Sequence, residues 1–225
     1  MDHPQPELVR TARLAGLSYL ALAVSGMVGF LTLHPQLFIS GDISQTLTNL
    51  REQETLARLR LVLEFAIVVS QAVAAAYFFK LFKNINLFAA WALAAWGLVN
   101  AVAIMVSAMA MAGAINVATS DLPAEDQLLL VRVFDQFIRH AWGVGSLFFG
   151  LWLIPMGFVV VDSQRMPVWL GRILMLGGVG YITSAFVSYL GFNDAWVGFL
   201  PIAATIGEFW MIAYLLMYGI RPGKG

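Results

Sequence analysis

"LAGLSYLALAVSGMVGFLTL" (residues 14–33) is a run of 20 residues without a charged side chain, and its length decides how the rest of the chain is read. At about 1.5 Å per residue it spans roughly 30 Å, the thickness of a bilayer's hydrocarbon core. A secretory signal core is shorter, about 7–15 residues, and ends at a small-residue cleavage site. Here the run continues into "LTLHPQ" instead. The expectation is a retained membrane helix.

Five further runs have the same character: Leu61–Phe79, Leu87–Met111, Ala141–Val161, Val168–Leu190 and Phe199–Ile220. Within them only Glu64, Arg172 and Glu208 are charged, and Arg172 lies near enough to a helix end to snorkel to the interface. The chain is 60% hydrophobic and 12% charged, against roughly 25% charged in a soluble domain. The expected fold class is therefore all-α: one transmembrane domain over residues 1–225. It is a bundle of six transmembrane helices with two ordered, partly helical outer loops.

The formal net charge is zero and there is no basic run, so nothing points to a nucleic-acid partner. The absence of cysteine excludes disulfides, thiolate nucleophiles and thiolate-held zinc or iron–sulfur clusters.

Orientation is read from the basic residues beside the spans. With the N-terminus inside, Arg10, Arg13, Lys80, Lys83, Arg165, Arg172, Arg221 and Lys224 are cytoplasmic, eight against an outer five of Arg51, Arg58, Arg60, Arg132 and Arg139. Both termini are expected in the cytoplasm of a cell whose membrane holds the chain. The outer loops are long. "GDISQTLTNLREQETLARLR" offers Asp42 as an N-cap before Ile43, Leu47 and Leu50 at helical spacing. "SDLPAEDQLLLVRVFDQFIRH" is amphipathic, runs into the fourth span, and sets Asp135 four residues before Arg139. Gly143, Gly150 and Gly157 recur every seven residues, as do Gly171, Gly178 and Ala185. Such stripes let helix backbones approach closely in lipid.

"RLAGLSYLALAVSG", "GDISQTLTNLREQETLARL", "YFFKLFKNINLFAAWA", "FFGLWLIPMGFVVVDSQRMPVWLGRILMLGGVGYI" and "GEFWMIAYLL" fit one pattern. It resembles the bacterial multi-pass family catalogued only as domain of unknown function 4386. In that pattern Asn49, Leu50, Glu54 and Arg58 occupy the loop positions, Glu64 stands where an aspartate is usual, and Gly207 and Glu208 form the Gly-Glu pair of the last span. The resemblance implies an integral membrane protein and brings no activity, substrate or cofactor.

The two intramembrane acids carry the functional reading. Glu208 lies nine residues into the sixth span, roughly 13 Å deep by helical rise and close to the midplane. Glu64 is about 5 Å deep by the same rise, with Arg60, Glu64 and Gln71 on a narrow arc of one helix face. An ionised carboxylate at the bilayer centre costs roughly 2.5–3.5 kcal/mol on insertion scales, so Glu208 is expected to face the bundle rather than lipid. A polar outer-half pocket is expected, with Glu208, Glu64, Arg60, Asn100 and His140 as its polar groups. Trp96, Trp152 and Trp210, about 13–17 Å into their spans, would line it. Trp91, Trp142, Trp169 and Trp196 fall at interface positions instead.

Of the three histidines, His3 lies in the tail. His34, His140, Glu64 and Glu208 make a poor ligand set for zinc, and no cofactor is called for. "GGVGYITS" lies in a span, where glycine serves packing rather than phosphate binding. Two functions stay open. One is a protein that binds or passes a small amphiphilic or cationic ligand, the other a membrane enzyme acting on lipid with Glu208 and His140 as its acid–base pair. A structural partner subunit is a third. Membrane lipid is the expected surrounding partner.

Overall fold

A computed structural model describes residues 5–192 and 194–222; His3 and Lys224 lie outside the described residues. Helix α1 (Gln5–Gly26) passes into a π-helical segment (Met27–Leu33) and α2 (His34–Leu37). Then follow α3 (Ile43–Glu52), α4 (Glu54–Phe82), α5 (Leu87–Ala118), α6 (Ala124–Ser163), α7 (Val168–Tyr189), a 3₁₀ turn (Ala195–Phe199) and α8 (Ile202–Met217). Among the described residues, six helical runs are long and apolar enough to cross a membrane. The protein is an all-α, membrane-embedded chain.

The helices overrun the apolar runs that announce them. Helix α4 begins at Glu54 rather than Leu61, and α6 at Ala124 rather than Ala141. At 40 residues α6 is about 60 Å long, twice a hydrocarbon core, so its stretch before Ala141 stands outside that core. Helix α3 starts where its cap predicts: the Asp42 carboxylate accepts from the Gln45 amide at 2.9 Å.

Burial departs from that of a soluble protein at both ends of the scale: large apolar side chains face outward, and several polar ones join an otherwise apolar interior. Phe88, Leu31 and Leu190 are 84%, 72% and 73% exposed, as lipid-facing side chains are. Arg60, Glu64, Gln71, Asn100 and Ser107 are instead buried. With lipid tails as apolar as leucine, close backbone approach and polar pairing hold such helices together.

The chain divides into two compact units. The first comprises the described parts of Met1–Leu20, Ser70–Asn100 and Val144–Gly225. Here the glycine stripes do what their spacing predicts. A Cβ built on Gly150 would stand 2.6 Å from the Gly178 carbonyl oxygen, and one on Gly157 2.4 Å from that of Gly171. Helices α6 and α7 therefore touch backbone to backbone, and α6 runs unbroken through Pro155. Gly177 meets the Ala204 backbone at 2.3 Å in the same sense, which seats α8 on α7. A Cβ on Gly16 would stand 2.9 Å from that of Leu215, so the glycine lets α1 close against α8. Gln5 Nε2 donates to the Ile220 carbonyl at 2.7 Å, and Lys80 pairs with Glu7 at 3.1 Å. Arg172 lies over the Trp169 ring at 4.8 Å, an arrangement suited to a headgroup layer.

The second unit comprises Ala21–Val69 and Ala101–Gly143. Leu37, Leu50, Ala57, Met111, Ala114 and Val131 are at its core. Asn49 Nδ2 donates to the Gln36 carbonyl at 3.0 Å and satisfies an end carbonyl of α2. Arg51 Nε does the same for the last residue of α5, Ala118, at 2.9 Å, and its guanidinium also bonds Gln127. The loop residues Asn49 and Leu50 are thus structural, one a cap and the other core. Glu54 and Arg58 form an exposed i,i+4 pair at 2.6 Å. Arg139 and Asp135 pair at 2.9 Å, as their spacing predicts.

Candidate functional site

In the first unit, Gly16 sets the geometry. Its contact with Leu215 brings Tyr19, one turn along α1, to the turn of α8 that carries Glu208. The Tyr19 hydroxyl donates to Glu208 Oε1 at 2.6 Å. Tyr19 is 2% exposed and sits among rings: Phe78 at 5.8 Å and Trp152 at 5.9 Å, both edge-on. Phe78 and Trp152 in turn meet at 5.6 Å. Trp152 is held by Gly97, where a Cβ would fall 2.2 Å from the indole ring. Gly207 packs on α7, where a Cβ built on it would stand 3.0 Å from the Leu174 side chain. Glu208, the next residue, is turned about 100° away from that face. Its surface is only partly covered by protein.

Among the described residues, Glu208 takes its hydrogen bond from a hydroxyl, not from the Asn100 amide or the His140 imidazole. Asn100 is fully buried, and neither of its amide atoms has a hydrogen-bond partner among the described residues. His140 is exposed on α6. Of the three deep tryptophans, Trp152 joins the Tyr19 cluster, whereas Trp96 lies 6.2 Å from Phe148. Trp210 follows Glu208 by two positions and so points to the opposite side of α8.

The second unit builds a different polar centre. Arg60 and Glu64 are 0% and 1% exposed, one helical turn apart on α4. Arg60 Nη1 stands 3.1 Å from Glu64 Oε2, an ionic contact whose angle falls short of a hydrogen bond. Glu64 Oε1 accepts from Ser107 Oγ at 2.5 Å, and from Arg60 Nη2 and Trp142 Nε1 at 3.3 Å each. Arg60 Nε donates to His34 Nδ1 at 3.2 Å. A guanidinium only donates, so Nδ1 is the lone-pair nitrogen and the ring proton sits on Nε2. His34 stacks on Phe38 at 4.8 Å, and the guanidinium lies 4.9 Å from the Phe30 ring and 5.8 Å from that of Phe38. The π-helical segment widens the turn that carries Phe30. Phe30 also meets Trp142 at 3.9 Å.

The two acids thus differ in kind. Glu64 has a cation, a hydroxyl and an indole N–H, and aromatic rings lie against its cation. Glu208 has a hydroxyl. Nothing in the local sequence spacing marks Tyr19, Ser107 and Trp142 as partners of the two acids. Trp142, expected at an interface position, donates its N–H to Glu64.

Helix length, exposed apolar surface and intramembrane acids define a multi-pass, all-helical membrane protein. The family model described as "Domain of unknown function (DUF4386)" matches residues 14–219, and the chain belongs to that family. An "Uncharacterized protein" of Archaeoglobus fulgidus is 29% identical over 69 residues, 31% of this chain and 43% of that protein. The matched segment is thus less than half of the relative. No solved structure matches.

Proposed function

We propose that the protein binds a small amphiphilic cation within the bilayer, with Glu208 as the counter-charge and the Tyr19, Phe78 and Trp152 rings as the apolar wall. The single supporting observation is the hydroxyl partner of Glu208. Among the described residues no cationic side chain pairs with this Tyr19-bonded carboxyl group, which leaves it available to a cationic ligand. Aromatic faces beside it add cation–π attraction. Glu64 is by contrast already neutralised by Arg60 and serves the fold.

The test is titration of a fluorescent quaternary-ammonium amphiphile against the protein in nanodiscs, with a neutral amphiphile of equal chain length as control. Glu208→Gln keeps the shape and the Tyr19 contact but removes the charge. It is expected to weaken the cation about tenfold, on the scale of a charge-assisted bond, and to leave the neutral control unchanged. Equal affinity in wild type and variant would end the proposal.

We also propose that the protein lies in the cell membrane with both termini in the cytoplasm and the 34–60 and 112–140 segments outside, on the eight-to-five bias of basic residues beside the spans. Glu52→Cys, in a chain otherwise without cysteine, is then expected to react with an impermeant thiol reagent in intact cells. Labelling that requires lysis would reverse the orientation.

A further inference from the structure

A cavity of about 320 Å³ in the second unit lies between the start of α3 and α6. It is lined by Asp42, Arg132, Asp135, Gln136 and Arg139, with Ile39 and Ile43 as its apolar side. We infer that it is a headgroup site for a zwitterionic phospholipid carrying a primary ammonium, as phosphatidylethanolamine does.

Depth is the first argument. Arg132 to Arg139 occupy the two turns of α6 before Ala141, where the apolar run begins. That places them roughly 3–13 Å above the hydrocarbon boundary, in the layer that phospholipid headgroups fill. This holds whichever way the chain is oriented.

Charge is the second. The lining carries two guanidiniums and two carboxylates, so it suits a ligand with both signs. Arg132 and Arg139 stand seven residues apart on one face of α6. Arg132 is exposed and in no ion pair among the described residues. Arg139 gives its Nε to Asp135 Oδ2 at 2.9 Å, which leaves its terminal nitrogens for a phosphate. Asp42 supplies one oxygen to the Gln45 amide. Its other oxygen is left for an ammonium. Asp135 is 6% exposed, and its Oδ1 has no hydrogen-bond partner among the described residues.

The lining chemistry selects the amine. Quaternary ammonium is recognised by aromatic faces, and no ring lines this cavity. A primary ammonium donates hydrogen bonds and fits carboxylates and the Gln136 carbonyl. The site is independent of Glu208 and stands or falls without it.

The experiment is native mass spectrometry of the detergent-purified protein with phosphatidylethanolamine, phosphatidylcholine and phosphatidylglycerol of matched chains. Melting curves with the same lipids run beside it. Phosphatidylethanolamine is expected to be retained about tenfold better than the other two. Asp42→Asn keeps a good helix cap while removing the charge, and is expected to abolish that preference. Arg132→Gln is expected to weaken binding of both phosphatidylethanolamine and phosphatidylcholine. Equal retention of the three lipids, or full preference in Asp42→Asn, would overturn the assignment. So would soluble glycerophosphoethanolamine stabilising the protein as well as the lipid does, since the ligand would then come from solution.

Discussion

Arg60→Met is expected to lower stability by about 3–5 kcal/mol, the range seen when one member of a buried ion pair is removed. Glu64 would be left 1% exposed, with Ser107 and Trp142 as its remaining donors among the described residues, in a core that cannot hydrate it. The double variant Arg60→Met, Glu64→Leu removes both charges and is expected to recover most of the loss, because well-packed apolar pairs replace buried ion pairs with little penalty. Arg60→Lys is not conservative here. An ammonium has no planar fork to serve Glu64 and His34 at once, and it lies less well on Phe30. Unfolding in detergent, monitored by tryptophan fluorescence, reads all three. A single variant that costs under about 1 kcal/mol would mean that the pair is solvated.

Gly157→Ala and Gly150→Ala are expected to cost about 1–3 kcal/mol each by overpacking, and Gly150→Leu more. The obstacle is backbone: the new Cβ would lie 2.4 Å from the Gly171 oxygen or 2.6 Å from the Gly178 oxygen, and a carbonyl cannot change rotamer to make room. Helices α6 and α7 would have to part. Gly26→Ala is the matched control. It has helical dihedrals and nothing within 4 Å, so it should be neutral or gain up to about 1 kcal/mol. An unchanged melting temperature in Gly157→Ala would place that stripe on lipid.

The spans were legible because hydropathy over some 20 residues is a strong signal, and the glycine stripes because a seven-residue repeat marks one helix face. Asp42 as a cap and Asp135 with Arg139 as a pair followed from local spacing of the same kind. The partners of the acids were a different matter. Arg60 lies four residues from Glu64 and could be named, but Ser107 and Trp142 reach Glu64 across 43 and 78 residues, and Tyr19 reaches Glu208 across 189. Which helices are neighbours decides such bonds, and hydropathy does not record it. Serine, tyrosine and tryptophan also leave little mark on an apolar run. One polar tip is hidden by the carbons around it.

The close contacts of α6 with α7, and of α7 with α8, join helices that leave the ribosome one after the other. Each finds its partner as soon as the next span emerges, so this part of the chain can assemble during synthesis with little search. The Tyr19–Glu208 bond has the reverse schedule. Tyr19 enters the bilayer with the first span, and its carboxylate is delivered only once residue 208 has been translated. Through all the intervening elongation that hydroxyl is without the acceptor it has in the finished bundle.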